Sequence, residues 1–476
     1  MNKPASAPRI DESHINGAFV WKVAFIAAMG GLLFGYDFMV IGGCTVFYEK
    51  YFNLVGRPDL LGLSVGSAPI GCILGAALSL FCADMYGRKK LLIVASVLFA
   101  LSAIWTALAW DFTSFNLARL LGGIGIGLAA NLSPMYIAEI APTSYRGRVV
   151  TTNQFTIMIG ILLSQVVNLL IEHYGARVGI TAGGMTWNET MGWRWMFGAE
   201  AVPALAFFAL IFTVPESPRW LVKRGRAADA TTVLTMIGGA HYAATEVADI
   251  SSTISTQDVA RVNLREIFEP RLFKLILLGM FLAIIQQWSG LNSVFAYSHQ
   301  IFKDAGFSVS GAMLSLVFQG LTMLIFCGVA MVVVDLVGRK MLMLAGTLGI
   351  AITHLLIGLC FHYHWSGVWV VILVMLAIAL YAMTLAPVVW VLLSELFPNR
   401  VRGVALGIAV IALWVGYLIL TYTFPIMRER LGTDITFWIY ATFLFISFWV
   451  LCFALPETKG KSLEQIERDL FGAPRT

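Results

Sequence analysis

Asp84-Met85-Tyr86-Gly87-Arg88-Lys89 and Asp335-Leu336-Val337-Gly338-Arg339-Lys340 are two versions of one six-residue signature, set about 250 residues apart. Each is a charged knot between two long apolar runs. A loop of this kind, duplicated in so apolar a chain, predicts two similar membrane bundles facing each other, the architecture of a carrier that works by rocking.

The composition agrees. Of 476 residues, 59% are hydrophobic and 12% charged, and the mean hydropathy is +0.81. Soluble domains carry about 25% charged residues. This chain cannot hide its apolar side chains from water, so lipid must be its solvent. A helix crosses ~30 Å of hydrocarbon with about 20 residues. The apolar runs have that length, and they are too long and uniform for the ~10-residue alternating strands of a barrel. The N-terminal stretch is polar, and the run after Lys22 is span-length without a cleavage site, so no cleavable signal peptide is read. The net charge of +5 sits in short loops, where it sets orientation and makes no nucleic-acid surface. The cysteines (Cys44, Cys72, Cys82, Cys327, Cys360, Cys452) show no paired spacing, so neither a disulfide framework nor a metal site is expected.

Twelve candidate spans can be marked, from 21–45 to 434–455. The fold class read from them is an all-α polytopic membrane protein with two pseudo-symmetric six-helix bundles. The organisation is an N-terminal bundle over 1–213, a cytoplasmic linker with short helices over 214–271, a C-terminal bundle over 272–455 and a cytoplasmic tail over 456–476. About 24 of the Lys and Arg residues fall on the side of the termini and about seven on the other, which predicts both termini in the cytoplasm of a cell membrane. The repeat extends beyond the signature. Glu139…Arg146-Gly147 is answered by Glu395…Arg402-Gly403 at the same interval, and Gly35-Tyr36-Asp37 by Gly290-Leu291-Asn292. The halves therefore correspond span for span, about an axis along the membrane normal.

Three constellations carry chemistry. The first is the set of loop charges Asp84, Arg88, Glu139, Arg146, Arg148, Glu216 and Arg219 in one half and Asp335, Arg339, Glu395 and Arg402 in the other. Loop charges can merely hold topology; recurrence in both halves favours a salt-bridge latch, closed when the cavity faces out and parted when it faces in. Exposed pairs contribute only ~0–1 kcal/mol each, but a network can bias two near-equal states. The second is Asp37, Arg119 and Glu200. Counting ~1.5 Å of rise per residue from the span ends puts all three in one outer layer of the membrane. Isolated charges there are costly, so pairing is expected, and the functional reading is a proton site in which protonation of Asp37 frees Arg119, with Glu200 as a relay. A purely structural ion pair is the alternative. The third is Gln286-Gln287-Trp288-Ser289-Gly290-Leu291-Asn292, which interrupts the seventh span and predicts a broken helix lining a water-filled cavity. Amides both donate and accept, which suits a neutral polyhydroxyl ligand. Gln154, Trp390 and Trp414, in mid-span, fit the same cavity, although any of them could be packing between helices. Asn188-Glu189-Thr190 is a lone glycosylation sequon in an outer loop.

With these residues in hand, the chain from about 21 to 465 resembles the sugar porter family of the major facilitator superfamily, and within it the bacterial xylose/hexose–proton symporters. The carriers are Asp84-x-x-Gly-Arg-Lys89, Pro134-Met-Tyr-Ile-Ala-Glu139 with Tyr145-Arg-Gly-Arg148, Pro215-Glu-Ser-Pro-Arg-Trp220, Gln286-Gln287-x-x-Gly-x-Asn292, Asp335-x-x-Gly-Arg-Lys340 and Pro456-Glu-Thr-Lys-Gly460. The resemblance implies the major facilitator fold, a central monosaccharide site and alternating access. It implies a site lined by Phe34, Gln154, Ile157, Gln286, Gln287, Asn292, Trp390 and Trp414. An acid at Asp37 is the pattern of the proton-coupled members. Against that pattern, Ile161, Ala296, Met323 and Leu413 replace larger or more polar residues and Ala386 replaces a glycine, so the sugar is left as a pentose, hexose or related polyol.

The reading is a secondary active transporter that imports a monosaccharide with protons; a facilitative uniporter is the alternative. The expected partners are the sugar, protons and the lipid bilayer, with no nucleic acid and a monomeric chain. No cofactor and no enzymatic activity are expected, since the sequence shows no metal cluster, nucleophile triad or phosphate loop.

Overall fold

The computed structural model describes residues 15–142, 146–180, 184–258, 269–365, 367–397 and 401–459, with the backbone alone at 253–258, 335 and 402–403. Among these residues the regular elements are helices, and one isolated bridge pairs Ile180 with Thr186. The first half contains α1 (Gly17–Tyr51), α2 (Pro58–Tyr86), α3 (Arg88–Leu108), α4 (Phe112–Ile140), α5 (Arg146–Val178) and α6 (Asn188–Ile211), the last opening with a π turn at Asn188–Gly192. Two linker helices follow, α7 (Pro218–Lys223) and α8 (Ala227–Asp258); α8 bends at Gly239 and is longer than the short helices expected there. The second half holds α9 (Pro270–Trp288), α10 (Leu291–Ala296), α11 (Ser298–Asp304), α12 (Val309–Val337), α13 (Arg339–His362), α14 (Gly367–Met383), α15 (Leu385–Leu396), α16 (Arg402–Leu431) and α17 (Thr433–Ala454).

Twelve of these segments are long and apolar enough to cross a membrane. The sequence explains where they stop. Gly87 (φ 94°) and Gly338 (φ 106°) occupy equivalent turns after α2 and α12, at angles that a β-carbon resists. Asp111 and Ser308 cap α4 and α12, each side-chain oxygen accepting a backbone N–H three residues on, from Ser114 at 2.6 Å and Gly311 at 3.2 Å.

The helices group into two six-span bundles that meet along α2 with α16 and α5 with α12. On the face away from the chain termini α1 also meets the second bundle. Gly42 abuts the Phe295 carbonyl, Thr45 Oγ1 stands 3.5 Å from the Ala296 carbonyl, and Gln300 donates to Glu49 at 3.2 Å. Ser310 donates to Glu172 at 3.0 Å on the same face. On the termini face, the described ion pairs and side-chain hydrogen bonds of the signature loops close within one bundle. No substantial packing among the described residues joins α4 or α5 to α15 and α16 there. The molecule is shut on the distal face; on the termini face α2 still meets α16, at Leu80 and Gly407, while the described residues of α4 and α5 part from α15.

Candidate transport site

Asp37 on α1, Arg119 on α4 and Glu200 in the middle of α6 are brought together, each at least 98% buried. The Arg119 guanidinium pairs through Nη1 with the Asp37 carboxylate, and its Nη2 also donates to the Asp37 backbone carbonyl at 3.4 Å. The guanidinium lies 5.1 Å from the centre of the Phe197 ring. Glu200 is close enough to interact with both partners. Asp37 Oδ2, Arg119 Nε and Glu200 Oε1 have no hydrogen-bond partner among the described residues. One guanidinium thus pairs with one carboxylate while a second carboxylate lies beside them, with bonding capacity left over, an expensive arrangement for a purely structural pair.

Gly290 breaks the seventh span at φ 81°, between α9 and α10. The polar run around it folds into three kinds of contact. Gln286 Nε2 donates to the carbonyls of Leu385 (3.2 Å) and Ala386 (3.0 Å), where α14 gives way to α15 at Thr384. Asn292 Nδ2 donates to Gln287 Oε1 at 2.6 Å. Trp288 Nε1 donates to the Gly416 carbonyl of α16 at 3.0 Å, and the ring of His354 meets the Ser289 carbonyl at 2.6 Å. Gln286 Oε1 remains without a partner among the described residues. The break is therefore braced against a second discontinuity that the sequence reading passed over.

Of the other expected lining residues, Phe34 and Trp414 meet across the bundles with ring centres 6.0 Å apart. Gln154 and Ile157 are half-buried on α5, with no hydrogen bond recorded for Gln154 among the described residues. Trp390 is 41% exposed on α15, with no ring contact among the described residues. Ile161, Ala296, Met323, Ala386 and Leu413 are all buried. Two rings that the sequence reading did not single out, Phe38 and Tyr417, stack on each other at 4.8 Å beside this group.

The loop charges form two matching clasps. In the first half Arg88 bonds Glu139 at 2.9 Å and Asp84 at 3.0 Å, and Lys223 reaches Asp84 at 2.7 Å. The Ser217 hydroxyl donates to the other Glu139 oxygen, and Glu216 Oε1 accepts the backbone N–H groups of Arg88 and Lys89, both at 3.0 Å. In the second half Arg339 bonds Glu395 at 3.3 Å and the Thr458 hydroxyl donates to Glu395 at 2.6 Å. Glu457 accepts the N–H groups of Arg339 (3.1 Å) and Lys340 (3.2 Å). Each clasp sets a carboxylate on the positive end of a helix, α3 or α13. Glu457 and Thr458 were absent from the expected set, although the short Pro-Glu-hydroxyl run at 215–217 and 456–458 is their signal. Arg146 and Arg148 are exposed at the start of α5, in no ion pair recorded among the described residues, and Arg219 is exposed on α7. The side chains of Asp335 and Arg402 and the tail beyond 459 lie outside the described residues.

The sequon is not an open loop. Asn188 is 96% buried and its Nδ2 donates to the Glu172 carbonyl at 2.9 Å.

The family model described as sugar (and other) transporter matches residues 23–470. The chain belongs to that family. As a sugar transporter family member it is a twelve-span membrane transporter of the major facilitator fold and not an enzyme. It is 38% identical over 488 residues to the D-xylose-proton symporter of Escherichia coli, covering 95% of this chain and 96% of that one. It is 36% identical over 460 residues to the arabinose-proton symporter of Bacillus subtilis, covering 96% of each. The inward-open structure of the E. coli xylose transporter XylE aligns with a TM-score of 0.82 at 36% identity, over 94% of this chain and 99% of that one. The xylose symporter bound to 6-bromo-6-deoxy-D-glucose aligns at 0.77, also at 36% identity, over 96% and 100%.

Proposed function

We propose that the protein imports a monosaccharide, a pentose, hexose or related polyol, together with protons by alternating access. The observation that carries this is the buried Asp37–Arg119 pair, with Glu200 beside it and spare bonding capacity on all three groups. A group that must gain and lose a proton in each cycle cannot be locked into a saturated network. The names of the relatives, symporters of xylose and arabinose, support the same reading.

In this reading protons reach Asp37 from outside, and its neutralisation releases Arg119. The sugar lies between the bundles against Gln286, Gln287, Asn292, Gln154, Ile157, Phe34, Trp390 and Trp414. The Lys and Arg bias supports cytoplasmic termini. On that orientation the described arrangement is the cytoplasm-facing half of the cycle, with residues 214–271 tethering two moving bundles and 456–476 as a cytoplasmic tail. The clasps keep each bundle rigid, while the exposed Arg146 and Arg148 at the start of α5 are free to bond across the cytoplasmic mouth when it shuts. The unit is a monomer in the bilayer.

The test is uptake of a panel of labelled pentoses, hexoses and polyols into proteoliposomes, with and without an inward pH gradient. Accumulation above equilibrium that vanishes with a protonophore is expected. Equilibration at the same rate and extent with or without the gradient overturns proton coupling in favour of uniport.

A further inference from the structure

Four rings close into a quartet across the two bundles. On α1, Phe34 and Phe38 meet edge to face at 5.7 Å, and on α16 Trp414 and Tyr417 do the same at 6.1 Å. Across the bundles Phe34 lies 6.0 Å from Trp414, and Phe38 stacks on Tyr417 at 4.8 Å with 29° between the planes. The two cross-bundle contacts form layers about one helical turn apart. Because α1 and α16 both run from the termini face to the distal face, the Phe38–Tyr417 layer is the distal one.

Asp37 precedes Phe38 directly in the chain. Phe38, Tyr417 and Trp414, with Pro69 and Cys72 of α2, line a small cleft that reaches Arg119. The Trp288 bond to the Gly416 carbonyl fixes the turn of α16 that presents Tyr417. Ring stacking inside one bundle is ordinary packing. This stack has one ring on each moving body, so it must part whenever the bundles separate on the distal face, and a contact present in one state alone biases the equilibrium between them.

We propose that the Phe38–Tyr417 stack is the seal that keeps distal water from the Asp37–Arg119 pair while the molecule is open on the termini face. Proton access to the pair from outside is thereby tied to separation of the bundles. Phe34 and Trp414, one turn toward the termini face, contact the sugar; Phe38 and Tyr417 position the barrier behind it. The inference rests on the symport reading.

The test uses the full chain in proteoliposomes holding a pH-sensitive dye, and reads proton entry after an external acid jump without sugar. Wild-type entry should be slow. Tyr417→Ala and Phe38→Ala should each raise sugar-free entry at least fivefold, because Asp37 then becomes reachable from both faces. Tyr417→Phe, which keeps the ring, should match wild type; a leak equal to that of Tyr417→Ala assigns the effect to the hydroxyl and overturns the seal. Unchanged sugar-free entry in both alanine variants, even with weakened sugar binding, also overturns it. Wild-type entry in the presence of each sugar of the panel tests the symport reading separately: if no sugar stimulates it, that reading fails, whatever the variants leak.

Discussion

Arg119 holds Asp37 at two points, the carboxylate and the backbone carbonyl, so the guanidinium is tied to the helix as well as to its charge. Neutralising the acid would leave only the longer bond to the carbonyl, at 3.4 Å, to hold the arginine to α1, which is the release proposed above. Asp37→Asn keeps the shape and the carbonyl bond and deletes the titratable group. Uphill accumulation should disappear while sugar counterflow, which needs no net proton movement, persists. Accumulation by the purified variant under a pH gradient is the measurement, and its survival removes Asp37 from the proton path.

Gln287 holds Asn292 across the Gly290 break. Gln287→Ala deletes one amide from the cavity and frees another to move. A lost hydrogen bond to a buried hydroxyl costs ~1–3 kcal/mol, so sugar affinity by isothermal titration should fall from several-fold to about a hundredfold. Unchanged affinity places the sugar elsewhere.

Glu216 and Glu457 each accept two backbone N–H groups at the start of a span. Charge-assisted bonds of this kind contribute roughly twice what neutral ones do. Glu216→Ala and Glu457→Ala should both lower the unfolding temperature in detergent, by similar amounts, and truncation before Glu457 should reproduce the second. A truncated chain as stable as the full one refutes a structural role for that end of the protein.

Asn188 is already committed to the Glu172 carbonyl, and its Oδ1 packs against Gly175 and Gly192. Expressed in a glycosylating eukaryotic host, the protein should show no change in mobility after deglycosylation, and Asn188→Gln should reduce stability. A mobility shift that is lost in the variant contradicts this placement.

What could be read in advance follows from physics that acts locally along the chain. The repeated Asp-x-x-Gly-Arg-Lys located the two turns because a left-handed glycine between charged residues has few other uses in an apolar chain. Helix rise alone brought Asp37, Arg119 and Glu200 to one depth, since each lies on a span with a polar marker at its end and only a few turns separate the two. The clasp of Glu457 was signalled only faintly, because its partner run at 215–217 matches it in three residue types and the bonds involved are to backbone N–H groups, which leave no signature of their own. Phe38 and Tyr417 look like any apolar residues of a span; only the relative rotation of α1 and α16 sets them face to face. For Asn188, three letters of sequence carry no information about the helix end that buries it.

The clasps close inside each half and are intact with the termini face parted, so opening that mouth breaks none of them. The free-energy difference between the two ends of the cycle must then reside in the seam. Substitutions within a half should alter how long the protein survives, and substitutions along the seam how fast it turns over, which makes lifetime and turnover separately tunable in the same chain.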